Sequence, residues 1–171
     1  MIAKLVRWLL MRWTAELPVR FINGLEGERY LERYFVFQRL GITCYVHRFV
    51  ASDPGKEYHN HPWHAAWSLI LLNWYQETRV TDYWPALQIQ VRYRTAPSIA
   101  RIKHNDFHRV DLPAGKDCWT IFWHTDWCYI WGFLNWGPMG RPEYEQAVKA
   151  EYGPKGTQWW RSAPLGKDVR L

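Results

Sequence analysis

The apolar positions of this chain follow one period at its start and another after residue 41. In MIAKLVRWLLMRW, apolar Ile2, Leu5 and Leu9, with Trp8 and Arg12 four apart, predict a short amphipathic helix. Lys4, Arg7 and Arg12 interrupt the stretch, so it forms no signal-peptide core. Its apolar stripe is expected to pack on the rest of the chain rather than lie on a membrane surface. From Glu28 to Arg39, Tyr30, Tyr34 and Phe37 again recur at helical spacing, and Gly41 stops the run. Residues 1–40 therefore read as an N-terminal helical extension packed on the remainder of the chain.

From Ile42 onward the pattern becomes short β-branched and aromatic runs: ITCYVHRFVA, WSLILLNWYQE, LQIQVRYR, SIARIKH, CWTIFWH and CYIWGFL. Their alternation predicts strands, and their number an antiparallel sandwich or barrel over residues 41–136. Asp53-Pro54-Gly55 and Pro113-Ala114-Gly115 join a proline, which presets φ, to a glycine that accepts positive φ, so both are expected turns. Residues 137–171 are rich in Gly, Pro and Lys and read as an extended or partly mobile tail, with one or two helical turns from Glu143 to Lys149. Because the strand motifs end before Gly137, truncation there is expected to leave folding intact.

A length of 171 residues suits one domain. With 13 Trp and 18% aromatics, the walls of a barrel or a cleft are well supplied, although most of these rings are expected simply to fill the core. The formal charge of +6 is scattered, with Arg92, Arg94, Arg101 and Lys103 in alternating positions, so nucleic acid is not an expected partner. Cys44, Cys118 and Cys128 form no CxxC pair, which argues for buried thiols in a reducing, cytoplasmic compartment. The longest apolar run, Ala65 to Leu72, is far short of the roughly 20 residues that span a bilayer.

The candidate chemistry lies in the histidines. His59 and His61 are two apart in a segment read as strand, which puts both imidazoles on one face. In a closed antiparallel barrel, His108 in Phe107-His108-Arg109-Val110 can return to face them. His47, His104 and His124 read as structural, with His47 and His124 as candidates to orient ligands or substrate.

The segments EYHNHPWHAAWSLILLNWYQE and HNDFHRVDLPAGKDCWTIFW resemble the two metal motifs of the cupins. More locally, His47-Arg48-Phe49, His59-Asn60-His61-Pro62-Trp63 and His108-Arg109-Val110 resemble a group of small cupin-like proteins of phages and bacteria. The resemblance covers roughly residues 28 to 135 and implies an all-β, jelly-roll-like antiparallel barrel carrying one divalent metal on His59, His61 and His108. Cupins usually add a glutamate a few residues after the paired histidines, whereas His64-Ala65-Ala66-Trp67 holds no carboxylate. The remaining alternatives are a three-histidine site, as in the thiol dioxygenase branch, or His64 as fourth ligand where Pro62 breaks the strand register. Cupins also commonly pair barrels through strand edges, so a homodimer is an expected assembly.

Three imidazoles suit Fe, Zn, Ni or Cu, with Fe(II) favoured here for its use in oxygenases. An aromatic mouth from Tyr45, Trp63, Trp67, Trp74 and Trp119 is expected to admit a flat or apolar small molecule. Its acidic group would pair with Arg48, Arg101 or Arg109, though strand alternation turns Arg109 outward beside His108. Tyr45 and Tyr58 are the candidate proton donors. Three functions are open on this basis: a dioxygenase-like metal enzyme, a metal-dependent isomerase or lyase, or a non-catalytic accessory module, phage-encoded by resemblance.

Overall fold

The computed structural model describes residues 1–24, 26–82, 86–127, 130–136, 142–146 and 158–170. Helix α1 (Ile2–Ala15) opens the chain, followed by β1 (Val19–Asn23), β2 (Arg29–Arg39), β3 (Ile42–Phe49), β4 (Tyr58–His59), β5 (Ala65–Leu72) and β6 (Trp74–Asp82). Then come β7 (Gln88–Thr95), β8 (Ser98–Lys103), β9 (His108–Asp111), β10 (Cys118–His124), β11 (Gly132–Trp136) and β12 (Pro142–Gln146). A 3-10 turn over Trp159–Arg161 and helix α2 (Gly166–Val169) end it.

The strands nest. The β6–β7 hairpin is innermost, and β5 pairs with β8, β4 with β9 and β3 with β10, all antiparallel. A long hairpin folded over itself in this way is a jelly roll, and its successive pairs fall in alternate sheets. The sheets run β1-β2-β3-β10-β5-β8 and β12-β11-β4-β9-β6-β7. No strand pairing among the described residues joins the two sheets edge to edge, so the expected barrel is realised as two facing sheets. The turn expectations hold: Gly55 and Gly115 take φ of +76° and +67°.

Residues 29–39 correct the reading of a helical extension. They form β2, paired with β1 on one side and β3 on the other. Both faces of β2 are covered: Leu31 and Arg33 line the space between the sheets, while Tyr34 packs beneath α1 with Val46 and Trp119. Apolar residues on both faces blur the period of two, and the helical spacing of Tyr30, Tyr34 and Phe37 is incidental. Gly41, at φ +72°, turns β2 into β3 instead of ending a helix.

Helix α1 does pack on the first sheet, but with another face than the expected one. Leu10 and Thr14 are buried and Val6 and Met11 join them against Tyr34, Val46 and Trp119. Ile2, Leu5, Trp8 and Leu9 stay exposed. Arg7, paired with Asp117, sets this rotation.

The described parts of the C-terminal segment, residues 142–146 and 158–170, are built into the structure rather than extended from it. Glu143 to Gln146 lies in strand β12 rather than in a helical turn, and residues 147–149 fall outside the described residues, as does Cys128. Trp160 stacks on Phe35 at 4.2 Å, Val19 N donates to Pro164 O at 2.9 Å, and Arg170 donates to Met11 O at 2.8 Å. A Cβ on Gly166 would stand 2.3 Å from Thr14 O, so only glycine lets α2 cross α1 this closely. Residues 158–170 are thus part of the packed structure, against the expectation for a truncation at Gly137.

Candidate metal centre

Strand β4 is two residues long, and its position is fixed from both sides. His59 stands in register with His108 of β9 and with Phe133 of β11. Asn60 extends the clamp, exchanging hydrogen bonds with Gly132 at 2.7 and 3.1 Å. After His61, Pro62 and the Trp63–Trp127 bridge carry the chain across to β5 in the other sheet. The nesting of β4 on β9 explains how His108 returns to His59 and His61.

One ligand atom from each of His59, His61 and His108 lies within 4.8 Å of the others. His61 Nε2 and His108 Nε2 are 2.9 Å apart. Two nitrogens each about 2.1 Å from one ion and at a right angle are separated by about 3 Å, so the donors fit a shared metal. The His61 ring stands at 90° to His59 and stacks on Trp63 with centroids 5.1 Å apart. Burial, with the neighbouring imidazoles, pushes His59 down to about 3 and His61 well below the ordinary histidine value. Both therefore present lone pairs rather than charge at neutral pH.

Glu77 is the main residue that sequence reasoning missed. On β6, Tyr75, Glu77 and Arg79 share the inward face, and Arg79 stands opposite His108. His108 Nδ1 lies 3.0 Å from Glu77 Oε1, an arrangement that holds the ring proton on Nδ1 and leaves Nε2 for a metal. Arg79 and Arg94 each donate to Glu77 at 2.8 Å. Burial alone would raise this carboxyl, but His108 and Arg79 outweigh it and keep it well below the usual carboxylate range. Its signal in the sequence is the alternation in WYQETRV, which sets Tyr75, Glu77 and Arg79 on one face of a strand. Asp53, read only as a turn residue, is buried at the cavity edge, where Val110 N donates to it at 2.7 Å and His59 Nδ1 lies 3.7 Å away. Burial pushes its carboxyl up to about 6.

The trio opens on a cavity of about 180 Å³ between the sheets. Of the expected aromatic mouth, only Trp63 lines it, joined by Phe49, Phe122, Trp127 and Trp131. Trp67 stacks on Trp123 away from the cavity, Trp119 is buried beneath α1, and Trp74 is exposed beside Tyr93. Tyr45 lies behind the cavity wall against His124 and Trp159. Tyr58 precedes His59 on β4 and so faces the other way, outside the lining.

The expected arginines are also elsewhere. Arg48 alternates with His47 and points beneath α1, donating to Asp117 at 3.0 Å and Glu32 at 3.4 Å. Arg109 is turned outward to Asp111 and Gly55 O, as alternation predicts, and Arg101 lies over Trp67. His64 is exposed and outside the three-histidine group. His47 lines the cavity with its Nε2 accepting from Arg33 Nε, and His124 stacks on Trp63 at 4.1 Å. His104, in the turn after β8, is not part of the lining.

No family model matches the sequence, and no curated protein matches it either. Solved structures do match the fold. The oxalate decarboxylase of Bacillus subtilis, as a point mutant, aligns over 67% of this chain and 30% of its own, at 13% identity and a TM-score of 0.50. Iron(II)-bound HppE in complex with substrate aligns over 65% of this chain and 57% of its own, at 8% identity and a TM-score of 0.50. A cupin-2 domain protein from Shewanella frigidimarina aligns over 54% of this chain and 78% of its own, at 11% identity and a TM-score of 0.43. The chain thus spans little more than half of HppE and under a third of the decarboxylase. With its nested antiparallel strands and the agreement with these structures, the chain has the cupin fold.

Proposed function

We propose that His59, His61 and His108 hold one divalent metal ion and that the protein is a dioxygenase-like cupin enzyme acting on a small molecule. The observation that carries this reading is the convergence of three imidazoles within 4.8 Å, with His108 anchored through its second nitrogen on Glu77. The chemistry such an ion supplies is oxidation with O₂ for iron(II), or polarisation of an oxygen-bearing substrate for zinc, nickel or copper. The iron(II) in the HppE structure makes iron the first metal to test.

The chain's own residues do the rest. Burial keeps His59 and His61 uncharged, so protons compete weakly for the donor nitrogens. Glu77 fixes the ring of His108, while Arg79 and Arg94 balance its charge inside the protein. Trp63, Phe122 and Trp131 give the cavity apolar walls beside the trio.

Elemental analysis of untagged protein, purified without chelating resin, tests the reading. The parent should carry near one metal per chain, and His61→Ala and His108→Ala should lose most of it while keeping the β-sheet circular dichroism. Equal metal content in the parent and both variants would overturn the assignment. Oxygen uptake by the iron(II)-loaded parent, absent from His61→Ala, would support the oxidative chemistry.

A further inference from the structure

The apolar stripe that periodicity marks on α1 is the one left outside. Ile2, Leu5, Leu9 and Trp13, three and four residues apart, run along one side of the helix with Trp8 beside them. All five are between 41% and 80% exposed, because Val6, Leu10, Met11 and Thr14 take the opposite side down onto the first sheet. The charges of the helix are of one sign: Lys4, Arg7 and Arg12, with no Asp or Glu among its 14 residues. Arg7 turns inward to Asp117, whereas Lys4 and Arg12 stay exposed. The guanidinium carbon of Arg12 lies 5.8 Å from the centroid of Trp8, so a cation and an indole share the open side. Glu16, the first carboxylate after the helix, is taken up by Lys167 at 2.7 Å. The open side thus joins an apolar stripe to positive charge, in a chain that carries +6 in all.

We propose that the outward side of α1 docks on an anionic phospholipid surface, with the helix lying in the plane of the headgroups. This goes beyond the metal-centre reading and does not depend on it. At 14 residues α1 is shorter than the roughly 20 that cross a bilayer, so the contact runs along its length. Ile2, Leu5 and Leu9 reach the boundary of the acyl chains. Trp8 and Trp13 sit at the level of the headgroups, where the apolar body and the N–H of an indole both find partners. Lys4 and Arg12 bury their stems and hold their charges at the phosphates. A second copy of the chain matches this side less well, since it sets the same two cations against each other with no carboxylate in either helix. The cavity lies on the other face of the first sheet, so docking leaves the three histidines untouched.

Co-sedimentation of the full chain with vesicles tests the proposal, using phosphatidylcholine alone and an equal mixture with phosphatidylserine. The parent should partition about tenfold or more onto the mixed vesicles over the neutral ones, and the preference should shrink as salt is raised. Lys4→Gln and Arg12→Gln should each weaken binding to the mixed vesicles about fivefold, the worth of one cation near an anionic surface. Leu5→Ala combined with Leu9→Ala should weaken it about tenfold or more through lost apolar contact. Both leucines are exposed, so this double variant should keep the unfolding transition of the parent. Equal binding of the parent to both vesicles, binding to neither, or undiminished binding by the double variant would each overturn the proposal. So would a concentration-dependent dimer in place of vesicle binding, read by sedimentation velocity and dissolved in the double variant, which gives this side of α1 to a second copy.

Discussion

Glu77 concentrates the tension of the site in one side chain. It is a fully buried carboxylate that touches a candidate ligand and two guanidinium groups at once. Glu77→Gln should lower metal affinity by roughly 10–100-fold, as loss of a carboxylate behind a ligating histidine does. Competition against a chromogenic chelator would measure it, and unchanged affinity would show that His108 does not depend on this anchor. The same variant leaves Arg79 and Arg94 short of a partner, and its unfolding free energy should fall by about 3–5 kcal/mol. Acid brings out a second residue-scale effect. Burial holds His124 down to about 4 and pushes His47 lower than its ordinary value. An unfolded chain takes up protons at these positions below about 6.5 while the folded one does not, so stability should decline from pH 6.5 toward 4. Each such group contributes about 1.4 kcal/mol per pH unit to that decline. Asp53, pushed up to about 6, works the other way, binding its proton in the folded state first and adding stability as pH falls below 6. His124→Gln should flatten the loss between pH 6.5 and 4 in denaturant titrations, and an unchanged slope would refute the burial effect. His59, His61 and His108 were legible from their flanking motifs, although only His59 and His108 lie in strands and His61 reaches the trio from the chain just past β4. Glu77, Asp53 and Arg33 were not, since each lies on a strand or turn whose inward face only the partner strands define.

At the scale of the element, legibility depended on whether one face or both are covered. The runs from Ile42 to His124 became strands through their β-branched and aromatic content, except that WSLILLNWYQE divides at Asn73, φ +63°, into β5 and β6, which lie in different sheets. Strand β2 was missed because α1 covers its outer side and the cavity its inner one, which erases the alternation. Helix α1 was found, but its facing was not, because it is apolar nearly all round and only the Arg7–Asp117 pair and the packing of Leu10 choose a side. That choice is testable. Leu10→Ala should cost about 2–5 kcal/mol, whereas Leu9→Ala, at a half-exposed position, should stay within about 0.5 kcal/mol. Equal losses in thermal or denaturant unfolding would show that the helix meets the sheet with a different side.

The whole molecule is closed by its two ends, which meet on the outside of the first sheet. Arg170 donates to Met11 O and to Tyr34 OH, and Lys167 reaches Glu16. Sequence composition hid this, because Gly and Pro mark a chain without regular structure and say nothing of whether it is docked. Deleting residues 158–171 should therefore lower stability by on the order of 3 kcal/mol or more, chiefly through loss of the Trp159 and Trp160 contacts with Phe35 and Tyr45. A deletion with the parent's melting temperature would restore the view of a dispensable tail. The nesting of the strands also carries a consequence in time. His61 and His108, 47 residues apart, meet only when β4 lies on β9, and that pair encloses both β5–β8 and β6–β7. Closing so long a loop is favourable only after the inner pairs have shortened it. An ion that bridges these histidines therefore arrives last, and would act as a latch that prolongs the life of the finished fold while leaving the speed of its assembly unchanged.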